Sequence, residues 1–415
     1  MRSNPTLIVI GYNRPKSLTR LLESLSKAHY PAEGGVQLVI SLDNSGNPEP
    51  GHVAQAFDWP HGEKRVILRE TRLGLRQHVL SCGDLTEEYG DVIVLEDDLF
   101  VSPFFYEYAK HALAAYENSP KVAGISLYSM QFNQTASLPF MPIDNGNSET
   151  YFLQLAASWG QVWSRENWRG FRQWLSEHGT DISNVKGIPP DIRAWPESSW
   201  LKLHTTYLIT HDLYFAYPYS SLTTNFGDPG QHMNISSSRY QVPIRQQATD
   251  YQMGNFDDSL AIYDAYFELA PESLKRLNPR LRNYDFEVNL YGTKECGNAL
   301  QLTRTQSRGE LNFALSMKPM ELSIAHNIEG EGIGLVRQPV HAPQTAESEY
   351  ELYRFFYKFP TLKLILFAVR ERLQGLLESK LKGMKQKKAG PSNNTPKRPD
   401  SAALESGNSR AVSNK

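Results

Sequence analysis

Through the first hundred positions, short apolar runs alternate with stretches whose apolar residues recur at helical spacing. Residues 6–10 form an apolar run of strand length, broken by Gly11-Tyr12-Asn13-Arg14-Pro15. Residues 17–26 then set Leu18, Leu21, Leu22 and Leu25 on one helical face. A second strand-like run, 36–42, ends in the turn-forming cluster Asp43-Asn44-Ser45-Gly46. A helix is expected around 53–57, a third strand at 64–68, and a helix over 75–89. A fourth strand, 92–95, runs straight into Glu96-Asp97-Asp98, and Pro103 suits the first turn of a helix reaching about Tyr116.

This strand–helix alternation predicts an α/β fold: a mostly parallel sheet with helices on both faces, plus a C-terminal extension. Ligands of such sheets bind at the carboxyl ends of the strands. Three polar clusters fall there, at 11–14, 43–46 and 96–98, and together define one candidate site. There is no GxGxxG after the first strand and no GxxxxGK[ST], which argues against dehydrogenase and P-loop readings. The expected organisation is a catalytic domain over 1–235, its second half richer in aromatics and turns, and an appended α+β segment over 236–345 with short strands near 284–291 and 311–315. An amphipathic basic helix follows over 346–388, and then a Pro/Ser/Asn-rich disordered tail over 389–415.

Charge and composition narrow the picture further. The formal net charge of −2 gives no global field for nucleic acid. Cys82 and Cys296 sit far apart and in no metal-ligand spacing, which points to a reducing, cytoplasmic setting rather than a disulfide framework. No leader peptide and no run of about 18 apolar residues is apparent, so the chain reads as soluble. The helical pattern over 347–381 ends in Lys380, Lys382, Lys385, Lys387 and Lys388, a basic amphipathic arrangement that fits an anionic membrane surface or a docking surface on the chain itself.

The acidic triplet carries the most chemistry. Three adjacent carboxylates at the end of a buried strand repel one another and need compensation. A divalent cation, Mg²⁺ or Mn²⁺, is the simplest, held by one or two carboxylates with the rest of its ligands from diphosphate and water. A capping role for the helix that follows is the plainer alternative.

Asp91-Val92-Ile93-Val94-Leu95-Glu96-Asp97-Asp98-Leu99, followed by Ser102-Pro103-Phe104-Phe105, resembles the donor-site motif of GT-A glycosyltransferases, closest to the alpha-mannoside N-acetylglucosaminyltransferases and family 2-like bacterial enzymes. The resemblance implies that Asp98 touches the metal, and that Glu96 and Asp97 contact ribose or metal-bound water. It extends to Tyr12, Asn13 and Arg14 as a nucleotide loop, Asp43 at the base or ribose, and Arg72-Leu73-Gly74-Leu75-Arg76 over the donor. Ser158-Trp159-Gly160 with Trp163 resembles the acceptor-side sugar pocket, and the stretch from Leu222 to His232 the end of the catalytic domain, where a late His meets metal or diphosphate. Trp159 and Trp163 fit the core equally well.

Inverting transfer needs a carboxylate base for the acceptor hydroxyl. Relatives carry Asp directly after the second Trp of the segment matching Trp195-Pro196-Glu197-Ser198-Ser199-Trp200, where this chain has Leu201. Glu197 is the first candidate base and Asp191 the second. The resulting expectation is a metal-assisted, inverting glycosyltransferase. It would move a sugar from a nucleotide-diphosphate sugar, expected to be a UDP-sugar, to a glycan or lipid-linked acceptor in surface polysaccharide assembly. The alternatives are a catalytically degenerate nucleotide-sugar- or glycan-binding protein, favoured by Leu201, and a nucleotidyltransferase, disfavoured because 11–15 is a poor Gly-rich basic loop.

Overall fold

The computed structural model describes residues 4–228, 238, 240–295, 297, 300–305, 307–337 and 346–357, with a few isolated positions between 362 and 373. The chain divides into two compact units, Met1–Thr345 and Ala346–Lys415.

The first unit is built on a nine-stranded sheet. Its strands are β1 (Thr6–Gly11), β2 (Leu38–Leu42), β3 (Lys64–Leu68), β4 (Val92–Glu96), β6 (Val122–Ser126), β9 (Thr150–Leu153), β10 (Gln161–Trp163), β11 (Tyr214–Pro218) and β13 (Ile262–Tyr263). Two short pairs stand apart from it: β5 (Leu99–Val101) with β12 (Thr223–Asn225), and β7 (Phe132–Asn133) with β8 (Leu138–Pro139). The order across the main sheet is β13-β9-β11-β6-β10-β4-β1-β2-β3. Neighbours from β3 to β4 are parallel, β10 is antiparallel to both β4 and β6, and β11 returns parallel to β6. The expected mostly parallel α/β sheet is therefore present.

Every residue of β1 and β2 is buried. That is why these strands read as unbroken apolar runs: both faces of a central parallel strand are covered. On one face, Leu7 and Val9 join the leucines of α1 (Pro15–Ser26) and Phe105, Tyr106, Tyr108 and Ala109 of α5 (Phe105–Ala115) in a single core. On the other, Trp163 of β10 stacks on Trp168 of α6 (Arg165–His178) at 4.1 Å between ring centres, with Trp200 and His204 of α8 (Trp200–His211) alongside. The helix expected over 75–89 is two helices, α3 (Leu75–Gly83) and α4 (Thr86–Tyr89). Trp168 packs on the junction: a Cβ at Gly83 would lie 2.1 Å from its ring, and its Nε1 donates to Asp84 Oδ1 at 2.9 Å. Between α1 and α3 lies α2 (Glu49–Ala56).

Past residue 236 the chain adds β13 to the edge of the main sheet, then α9 (Pro271–Leu277), α10 (Glu321–Ala325) and a second sheet of order β14-β15-β17-β16, made of Glu287–Asn289, Leu300–Thr305, Gly332–Arg337 and Leu311–Ala314. In the second unit the described helix is α11 (Ala346–Phe356); the remainder of the basic stretch, including Lys380–Lys388, and the tail lie outside the described residues. No helix among the described residues is long and apolar enough to cross a membrane.

Two carboxyls are sealed inside the first unit. Glu268 is fully buried; its Oε1 accepts from the Tyr291 amide at 2.7 Å while Oε2 has no partner. Burial pushes it up to about 8, opposed by Lys294 and aided by Asp264. Burial likewise pushes Glu321 to about 7. Both are protonated in the folded chain over a range where the unfolded chain is ionised, so the folded state holds more protons and stability falls as pH rises. Their contribution is complete below about pH 4.5 and is lost by pH 7–8. The melting temperature is expected to drop between pH 5 and 9, and Glu268→Gln to flatten that slope; a Gln variant with the wild-type slope would rule out this linkage.

Candidate functional site

The order β3-β2-β1-β4 places a topological switch between β1 and β4, and the polar loops converge at the carboxyl ends of these strands. Glu96 closes β4, and Asp97 and Asp98 form the tight turn into β5. The turn is clasped by β12, which pairs with β5, and by the Phe226 amide, which donates to the Asp98 carbonyl at 3.0 Å. Gly11 at the end of β1 makes the approach possible: a Cβ there would lie 2.8 Å from Leu42 and 3.6 Å from the Asp97 carboxylate.

Arg14 occupies the junction between β1 and α1. Pro15 starts the helix and keeps the residue before it out of helical backbone, and Arg14 adopts φ −126°, ψ 72°. Its Nη1 donates to Asp98 Oδ2 at 3.0 Å and its Nη2 to Asp97 Oδ1. Asp97 also accepts from the Tyr12 amide, whereas Asp98 Oδ1 is buried with no partner. Burial pushes Asp97 up to about 6, against the pull of Arg14 and with a further push from Asp98. Glu96, half-buried, is raised by burial and by repulsion from Asp98 and Asp97, with Arg14 opposing. Burial works against the Arg14 charge, but its two carboxylates outweigh that and its pKa is raised. One guanidinium thus answers three carboxyls, and the surplus is negative.

Asp43 at the end of β2 is buried, with its carboxylate turned to backbone: it accepts from the amides of Asn44 at 2.9 Å, Leu73 at 2.8 Å and Gly74 at 2.9 Å. It therefore ties the second loop to the start of α3. Asn47 Nδ2 donates to Asn13 Oδ1 at 2.9 Å, and the Arg72 guanidinium lies 5.2 Å from the centre of the Tyr12 ring. Tyr12, Asp43, Asn44, Asn47, His52 and Arg69 line a cavity of about 330 Å³ at this edge. A larger hollow, about 470 Å³, opens at the opposite end of the strands, by the start of β6; its lining includes Glu117 and Glu166 but no lysine or arginine, so it offers nothing to receive phosphate.

The remaining candidates scatter. Trp159 is half-buried and packs between Tyr128 and Tyr240 at 4.8 and 4.6 Å. Gly160 has φ +93° and its carbonyl accepts from the Leu127 amide, a close packing that a side chain would disturb at Thr223. Trp163 has no exposed surface, so of its two readings the structure takes the core and not the sugar pocket. Glu197 is 83% exposed and pairs with Lys202 Nζ at 3.3 Å; Asp191, on the short helix α7 (Pro190–Arg193), accepts from Thr135 Oγ1 at 2.9 Å. Neither shares a hydrogen bond with the acidic triplet. His232 lies outside the described residues. Among those described, no three His, Cys, Asp or Glu side chains converge as a metal nest.

Two contributors escaped the sequence reading. Arg20, one turn and a half along α1 from Arg14, pairs with Asp228, which also accepts from Ser17 Oγ at 2.7 Å; the Arg20 guanidinium sits 3.7 Å over the Phe226 ring. Ser41 and His78 share a buried hydrogen bond of 2.8 Å beneath the Asp43 turn. Only the polar positions of α1 and α3 hinted at these, and they do not reveal distant partners.

The family model described as the SPBC1E8.03c C-terminal domain matches residues 16–181, less than half of the chain. No curated protein matches. Among solved structures, the chain is similar to Staphylococcus aureus TarS 1-349, with 14% identity, 53% of this chain and 59% of that one covered, and a TM-score of 0.34. It is also similar to the mannosyltransferase PcManGT from Pyrobaculum calidifontis in complex with GDP-Man and Mn²⁺, with 14% identity, 43% and 47% covered, and a TM-score of 0.30. The chain spans less than two thirds of the length of either protein. Likeness at this level does not carry activity from one protein to the other.

Removing the Asp43 carboxylate would strand three backbone donors. Asp43→Ala is expected to lose about 2–3 kcal/mol of stability, read as a lower denaturation midpoint in urea, with Asp43→Asn, which keeps one acceptor oxygen, losing less. A midpoint unchanged by Asp43→Ala would show that water satisfies those amides equally well.

Proposed function

We propose that the chain is a glycosyltransferase that binds a nucleoside-diphosphate sugar at the carboxyl ends of β1, β2 and β4 and transfers the sugar, with inversion, to a glycan or lipid-linked acceptor in surface polysaccharide assembly. One observation carries this reading: three carboxyls under-compensated by one guanidinium, at a topological switch, with a cavity of about 330 Å³ at the same edge of the sheet.

The donor set fits a divalent cation such as Mn²⁺ or Mg²⁺. The surplus is negative, all ligand atoms are carboxylate oxygens, and Asp98 Oδ1 is buried with no partner. Asp98 would hold the cation, with Glu96 alongside and His232 as a further candidate. The ion would supply neutralisation of charge growing on the departing diphosphate. The protein's own residues do the rest. Tyr12, Asn13 and the turn fixed by Asp43 shape the nucleoside cavity. Arg14, on the acidic pair, and Arg72, beside Tyr12, would supply guanidinium groups to the diphosphate, since planar donors suit phosphate oxygens. Trp159 and Gly160 stand as the acceptor-side wall, and Asp191 or Glu197 takes the acceptor proton. We further propose that 1–235 forms the catalytic portion, that the enzyme is cytoplasmic, and that the basic helix of 346–388 makes a peripheral membrane contact.

A binding-only protein is the second reading, favoured by the exposure of Glu197 and its pairing with Lys202. Ligand binding raises stability by mass action, about 2.7 kcal/mol at 100 times Kd. Wild type is expected to melt several degrees higher with Mn²⁺ and one UDP- or GDP-sugar, and Asp98→Asn to lose that shift. No shift with any nucleotide sugar would remove the donor site. Turnover separates the two readings: loss of a general base costs about 10²–10⁴-fold in kcat, so Asp191→Asn or Glu197→Gln should lower kcat by that factor with little change in donor KM. Donor binding with no turnover in wild type would favour the binding-only protein.

A further inference from the structure

Arg14 does more than line the site. Its two terminal nitrogens bridge two neighbouring carboxylates, the geometry a guanidinium serves best. Arg14 keeps 25% of its side chain exposed, against 4% for Asp97 and 14% for Asp98, so of the three it is the most accessible to solvent. The two carboxylates beneath it are held unequally. Asp97 has two partners, Arg14 and the Tyr12 amide. Asp98 has Arg14 alone on Oδ2, and its Oδ1 is buried and unmatched. A cation arriving at Asp98 meets a carboxylate already engaged by a fixed positive charge, and two cations on one carboxylate repel each other.

We propose that Arg14 is a stand-in cation: in the free protein it holds Asp98, and it yields Asp98 to a divalent metal when a nucleoside diphosphate arrives, while keeping its bond to Asp97. The released Nη1 then has the diphosphate as its natural partner. Arg14 is a positioning residue in this scheme, and its effect is to make metal and nucleotide bind together rather than separately. Such coupling is reciprocal, so each ligand tightens the other by the same factor. The nucleotide half of the proposal rests on the donor reading above; the competition at Asp98 rests on the carboxylate pair alone.

Calorimetric titration of MnCl₂ into the full chain tests it, with and without UDP or GDP. Wild type should take Mn²⁺ weakly alone and about tenfold more tightly with nucleoside diphosphate. Arg14→Met should take Mn²⁺ alone about tenfold more tightly than wild type, lose most of the nucleotide-dependent gain, and forfeit the new affinity when Asp98→Asn is added. Arg14→Lys keeps the charge but cannot bridge both carboxylates; it should show a smaller gain, and it serves if Arg14→Met fails to fold by circular dichroism. Folded variants that bind Mn²⁺ alone no more tightly than wild type would overturn the competition, as would a gain that survives Asp98→Asn. If Arg14→Met gains Mn²⁺ affinity but neither UDP nor GDP binds any form of the protein, the hand-over and the donor reading fall together, and the competition at Asp98 stands.

Discussion

Three consecutive carboxyls stand at the end of a strand buried along its length, and one guanidinium answers them. Charge of one sign is costly to place in so dry a setting, and much of the local architecture follows from making it tolerable. A side chain at Gly11 would run into Leu42, and Asp97 packs against the same spot at ordinary contact distance. Pro15 starts α1 one residue after Arg14, which keeps that residue out of helical backbone while its guanidinium reaches the turn after β4. The backbone of the triplet is clasped from the far side by β12 and Phe226. Burial raises Glu96 and Asp97, and repulsion from Asp98 adds to it in both, with Arg14 opposing. The negative surplus at the carboxyl ends of β1 and β4 is the observation on which the proposed cation site rests.

The loops around this charge are interlocked, so the site is a property of several elements at once. Asp43 joins the β2 loop to α3 through backbone amides, Asn47 joins the same loop to Asn13, and Arg20 joins α1 to Asp228 beyond β12. The Arg20 pair is partly buried, with about a quarter of each side chain exposed. Its value lies less in stability than in register: it fixes where the chain stands at residue 228, beside the carboxylates that Arg14 holds.

What could be read from the sequence was what is local. β1, β2, β4, α1 and the acidic triplet announce themselves because central parallel strands leave continuous apolar runs, and because carboxyls after such a run have few explanations. The antiparallel strand β10, three residues long, leaves no such signature; it exists because β4 and β6 flank it. The same holds for β5 and β12, which pair across more than a hundred residues. The pattern over 75–89 is helical throughout, yet it forms two helices, and Trp168, far away in sequence, packs on their junction at Gly83 and Asp84. Trp159 and Trp163 are four residues apart and identical in type, yet one is half-buried between two tyrosines and the other is wholly in the core. Burial is a tertiary fact, and residue type alone could not separate them.

The same distinction bears on the base. A carboxylate that removes a proton from a bound hydroxyl is useful in proportion to how well it is already positioned, since ordering a mobile side chain during reaction subtracts from the gain. Glu197 stands in solvent with Lys202 as its partner, so it has rotamers to lose and a charge pair to break. Asp191 is fixed at the start of a helical turn by the Thr135 hydroxyl and has an oxygen to spare. The motif position favours Glu197, whereas preorganisation favours Asp191. The two criteria point to different residues, and substitution at each position is what separates them.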